Sequence, residues 1–462
     1  MQLDPKIIEQ LREGLDDDAL LVEEASTQAY RFDMAKFCDA GQPGVVVRPR
    51  STEQVQHVMR VASEHAVPVV PQGARSGLSG GANALDGCIV LSLTRMDQVL
   101  EIHEGEQLAV VQPGVVNAVL SRAVLERGLF YPPDPSSWDW STIGGNVATN
   151  AGGLCCVKYG VTADFVRALE VVLADGTVLR TGRRTAKGVA GYDLTRLLVG
   201  SEGTLGVITE ITLALRTEPE GALTLAAVFD SPTSALDAVA RIMASGIGPC
   251  LLEFLDGTAL RAIQQYRDMG LPEHAQAVLL AQSDRGSRAP EDLARMAEIC
   301  RELGALDVAE ASDAEESAML LEGRRLVGPA MDQLGVTLVD DVAVPRERLA
   351  DLLVGIEALA KEHDVLIACP GHAGDGNMHP TVIFPPGDEA AERRAVQAFE
   401  AIMGLGLALG GTITGEHGVG MLKRDWLGRE LGEANLGLQR RLKAVFDPQG
   451  ILNPTKMLPE VD

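Results

Sequence analysis

Long apolar runs are missing from this 462-residue chain. No stretch approaches eighteen apolar residues free of glycine, and the nearest, Ala401 to Thr412, holds Gly404, Gly406, Gly410 and Gly411. A membrane-spanning helix is therefore not expected. A signal peptide is not expected either, because the polar start Met1-Gln-Leu-Asp-Pro-Lys6 offers neither a basic region nor an apolar core. A cytoplasmic protein is the expectation, with attachment to the periphery of the inner membrane left open. Cysteine clusters are absent. The seven cysteines, 38, 88, 155, 156, 250, 300 and 369, are odd in number and show no Cys-x-x-Cys spacing. Neither a disulfide framework nor an iron–sulfur cluster is indicated, and Cys155-Cys156 reads as a pair of small packing residues. Cations are in deficit: 40 Lys and Arg against 65 Asp and Glu leave a net charge of −25. That argues against a nucleic-acid partner. An acidic protein that binds an anion must keep its cations local, so single arginines become informative.

What is present is 46% apolar residues, ample for large cores, and a length that allows two or three domains. Histidines number only eight, yet three fall in two glycine-rich stretches, Cys369-Pro-Gly-His-Ala-Gly-Asp-Gly-Asn-Met-His379 and Gly415-Glu-His-Gly418. His372 and His379 are seven apart, one face of a helix, but Gly374, Gly376 and Pro380 rule a helix out. The spacing predicts a β-hairpin with Asp375-Gly376 as its two-residue turn. Gly374 then faces Asn377, and His372 faces His379, close enough for two imidazoles to share a metal. A third ligand from elsewhere would complete an open site, and two His with one Glu is a suitable set. On the hairpin alone, an ordinary turn with histidines capping strand ends is equally good.

Residues 66–83 run from a short apolar strand into a loop holding Gly73, Gly77, Gly80 and Gly81. Such a loop can turn its amides inward around a pyrophosphate. It is neither a Rossmann fingerprint nor a P-loop, and alone it could be a tight turn. Then come Pro132-Pro-Asp-Pro-Ser136 and Ile143-Gly-Gly-Asn-Val-Ala-Thr-Asn-Ala-Gly-Gly153, small residues suited to a backbone lying close to a flat ligand. Lys158-Tyr-Gly160, Gly191-Tyr-Asp-Leu194, Gly200-Ser-Glu-Gly-Thr-Leu-Gly-Val-Ile208 and Phe446-Asp-Pro-Gln-Gly-Ile-Leu-Asn-Pro454 follow. In this order, and with the two histidine motifs, they resemble the flavoproteins of the vanillyl-alcohol oxidase / p-cresol methylhydroxylase family over about residues 40–457. Within it the chain looks like the branch of FAD-dependent D-lactate dehydrogenase, the glycolate oxidase flavin subunit and D-2-hydroxyglutarate dehydrogenase.

The resemblance implies an α+β fold. An FAD-binding domain of the p-cresol methylhydroxylase type is expected over 1–218, an inserted α+β cap on an antiparallel sheet over 219–419, and a segment over 420–462 that returns to the FAD domain. Periodicity agrees with alternating elements beyond Thr217-Glu-Pro-Glu-Gly221: strands at Leu223–Phe229, Ala277–Ala281, Val336–Val344 and Val365–Cys369, helices at Ser231–Ser245, Pro290–Leu303 and Arg346–His363. The resemblance also implies FAD held without a covalent bond, since the flavin loop lacks a histidine for attachment. Its cradle would be Pro71, Gln72, Gly73, Ala74, Arg75, Ser76, Gly77 and Leu78, then Pro113, Gly114, Pro135 and Ser136. Gly144, Gly145, Asn146, Thr149, Asn150, Gly152, Gly153 and Tyr159 would continue it, with Glu202, Gly203, Gly206, Ile208 and Asn453.

Oxidising a 2-hydroxy acid removes a hydroxyl proton and a hydride from one carbon. The flavin accepts the hydride, and a histidine suits the proton. A metal would coordinate the substrate and lower the hydroxyl pKa. The resemblance gives His417 as base, His372, His379 and Glu416 as ligands of a divalent metal (zinc, with manganese and iron also compatible), and Arg324 and Asn377 as substrate contacts. Neighbouring side chains diverge, so Glu416 can face the metal while His417 faces the substrate. Hydroxyglutarate dehydrogenases of the branch carry a threonine and a lysine where this chain has Gly328 and Val339. The departure favours a monocarboxylic D-2-hydroxy acid, D-lactate or glycolate, over D-2-hydroxyglutarate. The electron acceptor stays open among a quinone, a cytochrome and an electron-transfer flavoprotein, and a homodimer is compatible. Alternatives are a D-2-hydroxyglutarate dehydrogenase, a flavin subunit of a multi-protein glycolate oxidase, and a flavin-dependent transferase or lyase. A metal protein without flavin leaves the glycine motifs unexplained.

Overall fold

Residues 3–272 and 274–459 are described by the structure, a computed structural model. The chain forms two compact units, one of Met1–Gly152, Val161–Glu218 and Glu416–Asp462, the other of Gly153–Gly160 and Pro219–Gly415.

In the first unit Val45–Val47, Ile89–Ser92 and Val69–Gln72 form a parallel sheet in that order, with Leu20–Leu21 antiparallel at one edge. The runs are apolar because both faces are covered. The helix Thr52–His65 links two of them. Ser51 Oγ caps it by accepting from Gln54 N at 3.4 Å, and Val55, Val58, Met59 and Ala62 form its buried stripe. The neighbouring five-stranded sheet is antiparallel, in the order Val99–His103, Leu108–Val111, Val207–Ala214, Val166–Val172 and Val178–Gly182. Its last hairpin turns at Asp175-Gly176, with Val172 opposite Val178. Near the C-terminus the chain runs beside Val69, which donates to Ile451 O at 2.7 Å and accepts from Asn453 N at 2.8 Å. The glycine-rich run at 143–153 contains an element that periodicity does not announce. Ile143–Thr149 is a short helix, capped by Thr142 Oγ1 on Gly145 N at 3.3 Å. Its buried Ile143 and Val147 are an i, i+4 pair.

The second unit is built on a seven-stranded antiparallel sheet. Its order is Asp307–Glu310, Leu223–Phe229, Ala277–Ser283, Leu251–Asp256, Gly371–His372, Asn377–Met378 and Val342–Ala343. A second antiparallel sheet joins Val336–Val339, Thr381–Phe384 and Leu366–Ala368. Helices at Pro232–Ala244, Gly257–Tyr266, Ala289–Glu302, Ala314–Asp332, Leu349–Glu362 and Glu389–Ala408 complete the unit. Among the described residues no helix is long and apolar enough to cross a membrane.

The histidine hairpin is present, but its register differs from the expected one. His372 pairs with Asn377 and Gly371 with Met378, so the connection has four residues, 373–376. Asp375 N and Gly376 N donate to His372 O and Ala373 O at 3.0 and 3.2 Å. Gly376, at φ +80°, closes the loop; a side chain there would lie 2.2 Å from Val344 O. Asp375-Gly376 is thus the second half of a longer loop. His379 is the diagonal neighbour of His372 on the same face, within reach of large side chains.

Candidate functional site

In the first unit a cavity is walled by the loop Pro71–Leu78, by Pro113, Pro135 and Ser136, by Gly144, Gly145, Asn146, Thr149 and Gly152, and by Glu202, Gly203, Gly206 and Ile208. These expected cradle residues converge from five separate stretches of chain. Sequence reasoning missed others on the same wall, among them Asp33, Met34, Ser79, Leu93 and Trp140. Asp33 lies outside any glycine motif; the only hint of it is a carboxylate ahead of the loop. Gln72 Oε1 and Asn146 Nδ2 are buried without a hydrogen-bond partner among the described residues. Buried polar atoms are ordinarily paired, so an acceptor and a donor stand ready for a polar ligand. The set fits a flavin dinucleotide.

Three expected cradle residues support the wall without lining it. Gly114 N donates to Met96 O at 2.7 Å. Asn150 ends the short helix in a left-handed conformation and accepts from Ala163 N at 2.8 Å. Asn453 Nδ2 donates to Gly81 O and Glu202 O at 2.9 and 2.7 Å. Gly153 and Tyr159 belong to the second unit, where the Tyr159 hydroxyl donates to Asp284.

Glu416 and His417 lie on the wall of this cavity. Gly152 must be glycine, because a Cβ there would stand 2.3 Å from Glu416 Oε2. The turn that follows is tied down twice. Ser79 Oγ donates to the carbonyls of His417 and Gly418 at 3.0 and 2.8 Å, and the Glu202 carboxylate accepts from Val419 N and Gly420 N at 2.7 and 2.8 Å. Burial pushes the Glu202 carboxyl up to about 7, against the pull of those two amides.

In the second unit His372 and His379 are both buried, their rings edge to face with centroids 5.0 Å apart. A ring nitrogen of one lies within 4.8 Å of a ring nitrogen of the other. His372 Nδ1 sits 2.6 Å from Glu253 Oε1. A carboxylate accepts, so Nδ1 carries the proton and Nε2 the lone pair that can bind a metal. His379 Nδ1 is 3.6 Å from Asp341 Oδ1. The donor set suits a divalent ion. Arg324 Nε donates to the other Glu253 oxygen, Oε2, at 2.7 Å. Burial raises the Glu253 pKa, but His372 and Arg324 more than offset it and hold the carboxyl below its usual range. Asn377 Nδ2 donates to Asp341 Oδ1 at 2.8 Å and Val342 O at 3.2 Å, so the amide carbonyl is what it can offer a substrate. Glu253 and Asp341 were missed by sequence reasoning. The available signal for Glu253 was a lone carboxylate inside the apolar strand Leu251–Asp256.

Residues 43–182 match the family described as FAD binding domain, and residues 218–457 match FAD linked oxidases, C-terminal domain. The chain is 45% identical over 417 residues to glycolate oxidase subunit GlcD of Bacillus subtilis (strain 168), covering 90% of this chain and 89% of that one. It is 34% identical over 466 residues to a D-lactate dehydrogenase of Anaerostipes hadrus, covering 98% and 97%. The solved structure of p-cresol methylhydroxylase with substrate bound shares the fold, with a TM-score of 0.81 at 17% identity over 98% of this chain and 96% of that one. With two family matches and relatives aligned along most of its length, this chain belongs to the FAD-linked oxidases.

Proposed function

We propose that the chain oxidises a monocarboxylic 2-hydroxy acid, D-lactate or glycolate, to the 2-keto acid, using FAD and a divalent metal ion. The observation that carries this reading is Glu416 and His417 side by side on the wall of the cavity that fits FAD. When bound, FAD supplies a two-electron acceptor for the alcohol carbon. A divalent ion, when bound, supplies a Lewis acid. His417 takes the hydroxyl proton at a ring nitrogen. His372 and His379 are the metal ligands, with Glu416, the residue after Gly415, as the third; Gly415 N donates to Asp341 O at 3.1 Å. Arg324 directs its terminal Nη groups to the substrate carboxylate, since its Nε is engaged by Glu253. Gly328, on the same helix, offers no second polar anchor, which favours one carboxylate over two. The names of the two relatives, a glycolate oxidase subunit and a D-lactate dehydrogenase, support the substrate class. The first also supports a second reading, in which this chain is the flavin subunit that passes electrons to a partner chain.

Anaerobic mixing of the FAD-loaded protein with D-lactate, L-lactate, glycolate and D-2-hydroxyglutarate tests the proposal. Bleaching of the flavin by D-lactate or glycolate, and much slower bleaching by the other two, is expected. FAD-loaded protein that none of the four bleaches would overturn it. Re-oxidation by an artificial dye, without other chains, separates a self-sufficient enzyme from a subunit.

A further inference from the structure

Glu253 contributes no atom to the reaction as drawn, yet both of its carboxylate oxygens are committed to residues that do. Oε1 meets His372 Nδ1 at 2.6 Å and Oε2 meets Arg324 Nε at 2.7 Å. Glu253 is fully buried, and the Arg324 side chain is 14% exposed. We infer that Glu253 is a positioning residue that sets the metal-binding edge of His372 and the carboxylate-binding head of Arg324 together, so that metal affinity and substrate affinity are coupled through one side chain. This role rests on the functional reading proposed above.

Three elements meet at this carboxylate. Glu253 is on the strand Leu251–Asp256, which pairs along its length with Ala277–Ser283 and, at Phe254, with Gly371, the residue before His372. Arg324 comes from the helix Ala314–Asp332. The sheet therefore fixes the carboxylate relative to the imidazole, and the second oxygen fixes the helix side chain. Each contact selects a chemical state. The carboxylate on Nδ1 fixes the tautomer that presents the Nε2 lone pair, as outer carboxylates do for metal-binding histidines. Donation from Arg324 Nε keeps its two Nη groups as the pair that matches a substrate carboxylate. Replacing a buried ion pair by apolar groups is often neutral or stabilising. Fold stability is thus a weak reason for a carboxylate here, and a positional role is a strong one.

Glu253→Gln tests the role. The variant can still accept from His372, but its amide N–H₂ meets the Arg324 N–H, donor against donor. Zn(II) affinity of the FAD-loaded protein, read by competition with a chromophoric chelator, is expected to weaken roughly 10–100-fold. The KM for D-lactate should rise by more than kcat falls, and FAD content should hold. Nitrogen-15 shifts of His372 should report the Nδ1-protonated tautomer in the parent and a mixture in the variant. Arg324→Gln is the companion, since its partly exposed side chain is no metal ligand. It should change Zn(II) affinity in the parent background and leave it unchanged in the Glu253→Gln background, because the coupling runs through the carboxylate. Should Glu253→Gln fail to fold, unchanged Zn(II) affinity in Arg324→Gln alone overturns the role. Parent protein that binds Zn(II) and oxidises hydroxy acid, with both variants binding Zn(II) as the parent does, overturns this role but not the function. Parent protein that binds none of Zn(II), Mn(II) and Fe(II) overturns both.

Discussion

Glu202 is a buried carboxylate whose hydrogen-bond donors are two peptide N–H groups, of Val419 and Gly420. Burial raises its pKa from 4.5 to about 7. As pH rises through this window the unfolded carboxyl loses its proton while the folded one keeps it. The folded state binds more protons, so this group's contribution to stability falls between about pH 4.5 and 7 and is level above. The fall is on the order of 3 kcal/mol. Denaturant unfolding of the parent and Glu202→Gln from pH 5 to 8 should show a shallower decline in the variant, and parallel curves would sink the assignment. On the same turn, His417→Ala should slow flavin reduction by roughly 10²–10⁴-fold, the usual worth of a positioned general base, with metal content kept. Glu416→Ala should lose metal and activity together. If instead His417→Ala loses the metal and Glu416→Ala keeps it, the roles of the two residues are exchanged. Metal analysis and single-turnover reduction on both variants decide.

The histidine hairpin shows what the sequence could and could not carry at the level of one element. Its existence follows from glycine and proline breaking a helical spacing. Its register does not, because Asp-Gly fits both a two-residue turn and the end of a four-residue loop. In the observed loop Val344 O packs so close to residue 376 that only glycine fits there. Gly376→Ala should therefore cost more than the 1–2 kcal/mol of a left-handed alanine, measured by denaturant unfolding. It should also lower metal affinity while FAD stays bound, because the hairpin carries His372 and His379 and the cradle does not include it. Wild-type metal affinity in Gly376→Ala would disconnect hairpin geometry from the metal. The strands at 223–229 and 277–283 were legible from the periodicity beyond Gly221. The helix at 143–149 was not, since Gly144, Gly145 and Thr149 are poor helix formers and tertiary packing of Ile143 and Val147 decides. The stretches that wall the cavity were legible because their glycine motifs are local. Glu253 and Asp341 were not, because their side-chain contacts join residues more than thirty positions apart in the sequence.

At the scale of the whole molecule, an acidic chain must bring in an acidic substrate. The net charge of −25 repels a monocarboxylate at long range. On the proposed reading the attraction is local and largely balanced: Arg324 is already paired with Glu253, so substrate binding would draw on short contacts rather than on a positive field. Salt acts on these two terms unequally. The Debye length falls from about 30 Å at 0.01 M to about 8 Å at 0.15 M, and contacts out of solvent are screened far less than exposed charges. Added salt should therefore remove repulsion faster than it weakens binding. The expected result is an apparent Kd for D-lactate that drops severalfold between 10 and 150 mM of an inert chloride salt, read from the substrate dependence of anaerobic flavin reduction. The limiting reduction rate should stay constant, because in the proposed mechanism His417 acts after the substrate has arrived. A Kd that rises with salt would mean that a cationic field around the site outweighs the chain's overall charge, and the exposed arginines would then be the residues to neutralise in search of it.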